Sequence, residues 1–231
     1  IGSLKQWTGK VKANIIYDSE VDPFTDQGLF NDVKGKPDIA IVTFTTDGDV
    51  FGGFYSVAVT QQYTVFKDSN LFIFSFESHG GCDTPQRFTV KSEKKSCGNV
   101  YFFKNDSNGW FVEFSDGNWH RFGLGDEKSN TFCRDLSDGF DGMEDTTLTG
   151  KNSDQTATTA PASSLSSSFD GLIFPLVILP VHLHGNAGIE TTTNCPSRAT
   201  RDVLSSKHRG QSRERPSIKV NSWLNRYLFS S

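Results

Sequence analysis

The stretch Asp49-Val50-Phe51-Gly52-Gly53-Phe54-Tyr55-Ser56, followed by Asp68-Ser69-Asn70-Leu71-Phe72-Ile73-Phe74-Ser75-Phe76, decides the fold class. Aromatic and β-branched side chains suit the pleated, half-buried surface of a strand. Because successive strand residues point to opposite faces, a run that is apolar at nearly every position, as 71–76 is, needs cover on both faces. Gly52 and Gly53 weaken an aromatic strand unless a bulge, a bend or a close backbone approach requires them. A bulge flanked by Phe51 and Phe54 would swing adjacent aromatics toward opposite packing layers.

Outward from this centre, strands are read at residues 15–17, 39–46, 50–59, 71–76, 86–91, 99–104 and 110–114, each bounded by turn-forming residues. Asp47-Gly48 predicts a tight hairpin into the strand at Val50, and Asn105-Asp106-Ser107-Asn108-Gly109 predicts another into Trp110. Hairpins at such short spacing favour antiparallel pairing over alternating βαβ units. Helices are expected over 22–33, capped at Asp22-Pro23, and as a single turn over 131–136. The fold class that follows is α+β: a mostly antiparallel two-layer β-sandwich with a few flanking short helices, followed by a largely disordered C-terminal tail.

The tail begins where composition changes. Residues 152–170 are Ser, Thr, Ala and Asp with few apolar anchors and read as a linker, which sets the first domain at 1–151 and leaves 171–231 as a low-structure tail. Within that tail, residues 172–181 are apolar but interrupted by Pro175 and Pro180, and too short to span a membrane as a helix. Residues 1–151 carry 15 Lys/Arg and 22 Asp/Glu, a net charge of −7, and the remainder 8 and 5, a net of +3. An acidic domain repels a phosphate backbone, so no nucleic-acid partner is expected. Cys82, Cys97, Cys133 and Cys195 are too dispersed for a disulfide framework, which points to reduced thiols and an intracellular, cytoplasmic setting. No secretion signal follows Ile1, and the true N-terminus is expected to lie upstream.

The order Val50-Phe51-Gly52-Gly53-Phe54, then Asp68 with Leu71, Phe72 and Phe74, resembles the TLDc domain of the oxidation-resistance proteins. Trp7 resembles that family's opening tryptophan, Ile15-Ile16-Tyr17-Asp18-Ser19 its first strand, and Phe122-Gly123-Leu124-Gly125 through Cys133 its glycine-bearing loop. The resemblance covers roughly residues 4–150. It implies signature positions at Trp7, Val50, Phe51, Gly52, Gly53, Phe54, Asp68, Phe72 and Phe74, with a structural or binding role. It further implies a non-catalytic protein of oxidative-stress protection that binds a protein partner, the vacuolar proton ATPase being the one suggested. Recruitment to vacuolar or endosomal membranes would then run through that partner. The family's closing strand has no convincing counterpart after Lys151. Three explanations stay open: the strand is lost, residues 172–181 replace it, or the chain is a truncated or misassembled product of a TLDc gene.

Candidate chemistry centres on His79-Gly80-Gly81-Cys82. One His-x-x-Cys pair falls short of the two close pairs of a structural zinc site, so no metal is assigned. The same two residues could serve a hydrolytic or thiol-dependent enzyme, but no orienting third group is evident. Cys82, in a glycine-rich turn, is expected to be exposed and is the candidate redox thiol. The carboxylate groups Asp18/Glu20/Asp22, Asp47/Asp49, Asp126/Glu127 and Glu144/Asp145 lie in turn-like sequence, where Asp caps and solvates. No nucleotide or calcium-loop motif is present, and no cofactor is expected.

Overall fold

The computed structural model describes residues 2–19, 21–45, 48–105, 109–118, 121–125 and 132–150, and the backbone of 157–158 and 173–183. The chain opens with helix α1 (Gly2–Thr8), strand β1 (Lys12–Asp18) and helix α2 (Asp26–Val33). Next come β2 (Ile39–Thr45), β3 (Val50–Tyr55), β4 (Val65–Lys67), β5 (Phe72–Glu77) and β6 (Gln86–Thr89). A 3₁₀ turn over Ser92–Cys97 leads to β7 (Asn99–Phe102), β8 (Trp110–Ser115), β9 (Arg121–Gly125), β10 (Phe132–Arg134) and α3 (Leu136–Gly139). Within the segment read as a linker, Ala157–Thr158 form the short strand β11, and beyond that segment lies β12 (Ile173–Leu183).

Two sheets result. The larger runs β1-β12-β2-β3-β5-β6, with β11 paired to β12, and the smaller runs β10-β9-β8-β7-β4. Every pairing is antiparallel except those of β12 with β1 and with β2, which are parallel. Inward residues of both sheets, among them Ile41, Phe51, Tyr55 and Ile73 against Val100, Phe102, Phe114 and Phe122, share one buried core, as two stacked layers should. The opposite face of the larger sheet carries a second core of Val42, Val50, Phe54, Phe72, Phe74 and Phe76, roofed by Leu4 of α1. The doubly apolar run at 71–76 thus has cover on both faces.

Several local expectations are corrected. Gly52 and Gly53 sit in regular register on both neighbours; the bulge lies one step earlier, between Val50 and Phe51, where β5 inserts Phe76 as the extra residue. Helix α2 starts at Asp26 because Thr25 caps it, its hydroxyl accepting from the Gly28 N–H at 3.0 Å. Asp22 instead closes the preceding turn by accepting from the Asp18 N–H at 2.7 Å. Residues 132–134 form a strand, and the helical turn follows at Leu136–Gly139. Of the segment read as a low-structure tail, residues 173–183 form β12, the replacement strand that was one of the three explanations left open. The rest of that segment lies outside the described residues.

Candidate functional site

The signature residues are packing residues. Trp7 stacks on Phe76 with ring centroids 6.0 Å apart, and meets Phe72 edge-on at 6.1 Å and Phe74 at 6.3 Å. Val50, Phe54, Phe72 and Phe74 lie beneath it in the outer core, while Phe51 faces inward onto Phe122 at 5.5 Å. The glycines answer the close-approach alternative. A Cβ on Gly52 would fall 1.8 Å from the Ile41 carbonyl oxygen, and one on Gly53 would fall 2.6 Å from the ring of Phe114 on the facing sheet. Asp68 is buried and fastens the loop after β3: it accepts from the Ser56 hydroxyl at 2.8 Å, the Ser56 N–H and the Asn70 N–H.

At one end of the sandwich the β2–β3 hairpin meets the loop after β5. Asp49, whose side chain is fully buried, accepts from the His79 N–H at 2.8 Å and holds Nδ1 of the same imidazole at 2.7 Å. Its other oxygen accepts from the Thr45 hydroxyl at 3.0 Å, and that hydroxyl accepts from the Asp49 N–H at 2.9 Å. The imidazole itself is 63% exposed. The Ser78 hydroxyl donates to the Thr147 carbonyl, and Gly80 packs so tightly against the Thr146 and Thr147 carbonyls that no Cβ fits. One carboxylate therefore ties the hairpin to the 78–82 loop, and Ser78 and Gly80 of that loop seat it on the 144–150 turn.

This arrangement separates the two residues that sequence reasoning joined. His79 pairs with Asp49, and no hydrogen bond joins its ring to Cys82 among the described residues. Cys82 is 3% exposed, against the expected exposure, because its bridge to Ser78 folds it under the loop. Burial pushes its thiol pKa up, the Ser75 hydroxyl opposing and the Asp83 charge adding. An oxidation-prone thiol needs the opposite conditions. Cys133 is pushed up to about 12 by burial first and by Asp145 second. Among the described residues no three His, Cys, Asp or Glu side chains are placed to hold a metal ion. Of the acidic groups, Glu20, Asp47, Asp126 and Glu127 lie outside the described residues.

A different feature marks the solvent face of the smaller sheet. Tyr101 lies between the core residues Val100 and Phe102 and so faces outward. Its ring meets Tyr63 at 6.2 Å and Phe103 edge-on at 4.8 Å; Phe103 meets Trp110 edge-on at 5.4 Å. The Arg121 guanidinium lies 6.0 Å from the Trp110 ring and bonds Glu113 at 3.0 Å. Burial raises the Glu113 pKa and the Arg121 charge draws it back. Tyr63, at 55% exposed, and Val65, at 53%, end the row in water. Sequence reading missed this row because its members belong to three separate segments.

The packing code, from Trp7 through the paired glycines to Asp68, agrees with the family comparison: the family model of the TLDc domain matches residues 3–161. The chain belongs to the TLDc domain family. No curated protein matches it. In this TLDc domain the match ends before β12, so the strand that fills the larger sheet between β1 and β2 comes from beyond the matched residues.

Proposed function

We propose that this TLDc protein is a non-catalytic protein-binding module of oxidative-stress protection, and that the vacuolar proton ATPase is its partner. The aromatic row Tyr63-Tyr101-Phe103-Trp110 carries the reading. Aromatic side chains with arginine are the composition that protein interfaces favour, and here they cover the outward face of a sheet whose inner face is already occupied. The acidic balance of residues 1–151 adds electrostatic selection of a basic partner surface. The signature residues support the same reading, since they build the two cores and leave recognition to the surface. The test is a pull-down of pump subunits from a detergent extract with the full chain as bait. Retention is expected, and Tyr63→Ser with Val65→Ser, both at exposed positions, should abolish it. Absence of every pump subunit from the native bait sinks the partner assignment.

The Asp49–His79 pair favours a second reading, acid-base catalysis, because a buried carboxylate orients an exposed imidazole. A hydrolase screen on the native chain and His79→Gln decides it: activity lost in the variant supports catalysis, and no difference removes it.

A further inference from the structure

Strand β12 has a peculiar fit to its place. It lies between β1 and β2, which run parallel to it and make no pairing with each other among the described residues. Without β12 the larger sheet is cut in two, and both β1 and β2 present a bare ladder edge. Yet β12 carries Pro175, opposite Asn14 of β1, and Pro180, opposite Phe44 of β2. Proline has no N–H to donate, and interior strands exclude it for that reason. Backbone groups on a strand point alternately to its two sides, so prolines five positions apart in sequence leave β12 without an N–H at one position on each side. On the two walls, the Asn14 side-chain oxygen of β1 and the Thr43 hydroxyl of β2 are buried without a hydrogen-bond partner.

We propose that the gap between β1 and β2 is a strand-acceptor site, that β12 is its replaceable resident, and that its external ligand is an extended, apolar, proline-free segment of a partner protein lying parallel to both walls. The inference rests on the protein-binding reading above and names a second contact for it. A proline-free strand offers an N–H at both positions and can place polar side chains opposite Asn14 and Thr43. A second copy of this chain offers the same two prolines and gains nothing by exchange. The segment 151–172 lets the displaced β12 leave while the chain stays intact: it is long enough to span about 70 Å when extended.

The probe is a labelled peptide with the sequence of residues 173–183, valine at both proline positions and two lysines at each end, titrated into the full chain and followed by fluorescence anisotropy. Saturable binding is expected. It should weaken roughly tenfold or more in the chain carrying Pro175→Val and Pro180→Val, whose own β12 then carries an N–H at both positions and competes for the site. No binding, or equal binding to both chains, overturns the proposal. So does a native chain that dimerises with concentration by strand exchange, since the occupant is then a second copy. If the pump pull-down fails while the peptide binds as described, the partner assignment falls and the acceptor site stands. If the pull-down succeeds and the peptide is ignored, the acceptor site alone falls.

Discussion

The ring of Phe114, on the smaller sheet, fills the space that a side chain on Gly53 of the larger sheet would need, 2.6 to 2.7 Å from the position of its Cβ. Gly52, one residue earlier and facing the other way, is closed off by the Ile41 carbonyl at 1.8 Å. The obstacles differ in kind, one a ring that can turn and the other backbone that cannot. Gly53→Ala should cost about 1–3 kcal/mol, the range for overpacking a tight core, and Phe114→Leu in the same chain should recover part of it. Gly52→Ala should cost more and should not be recovered by Phe74→Leu. Urea unfolding of the four variants checks this, and Gly52→Ala with native stability would contradict the close approach.

Tyr55 stands in the same strand with its ring in the inter-sheet core, against Phe102 at 6.0 Å and Phe114 at 6.3 Å, and its hydroxyl is buried without a hydrogen-bond partner. Burial raises its pKa well above the ordinary tyrosine value. Tyr55→Phe keeps the ring and removes an unsatisfied polar group, so it should stabilise the fold by about 1 kcal/mol. A clear loss of stability on thermal unfolding would mean that the hydroxyl has a partner.

These two glycines and this tyrosine also show what the sequence could and could not convey. Strand positions were readable because the short, nearly continuous apolar run at 71–76 and the hairpin dipeptides are local signals. The reason for the glycines was not, because it depends on a phenylalanine of the opposite sheet and a carbonyl of the neighbouring strand. Val65–Lys67 is too short to read as a strand, and Arg121–Gly125 forms β9 where the family resemblance implied a glycine-bearing loop from Phe122. Asp49 and His79 are brought together only when β3 and β5 pair. β12 was visible as an apolar run and as one of the three explanations for the closing strand, but its place between β1 and β2 rests on long-range pairing that no local signal carries.

Alkaline pH should weaken the fold through its thiols. Burial raises both Cys133, to about 12, and Cys82. In the unfolded chain a thiol titrates near 8.5, so above that pH the unfolded state holds fewer protons than the native one. The contribution is therefore complete below about pH 8 and is lost as pH rises, at up to about 1.4 kcal/mol per pH unit for each thiol. Tyr17 and Tyr55, also raised, join above about pH 10. Urea midpoints at pH 7, 9 and 10 measure the slope, and Cys133→Ala should flatten it between 8 and 10. A native chain equally stable at 7 and 10 would count against buried thiols.

Asp49 should matter far more than the histidine it holds. Asp49→Ala removes the acceptors for the His79 N–H and the Thr45 hydroxyl together and leaves buried donors unpaired, a loss of about 3 kcal/mol. His79→Ala removes only a largely exposed ring and keeps the backbone bond to Asp49, so it should cost under about 1 kcal/mol. The two variants also differ in where they loosen the chain. With Asp49 gone, the 78–82 loop loses the anchor that sets Ser78 and Gly80 against Thr146 and Thr147, and the 144–150 turn should open to protease. Limited trypsin and chymotrypsin digestion followed by mass spectrometry locates the cuts. Early cleavage near 144–150 in Asp49→Ala, with a native pattern in His79→Ala, is the expected result. Equal destabilisation by both would show that the imidazole, and not the carboxylate, is the centre of that end of the sandwich.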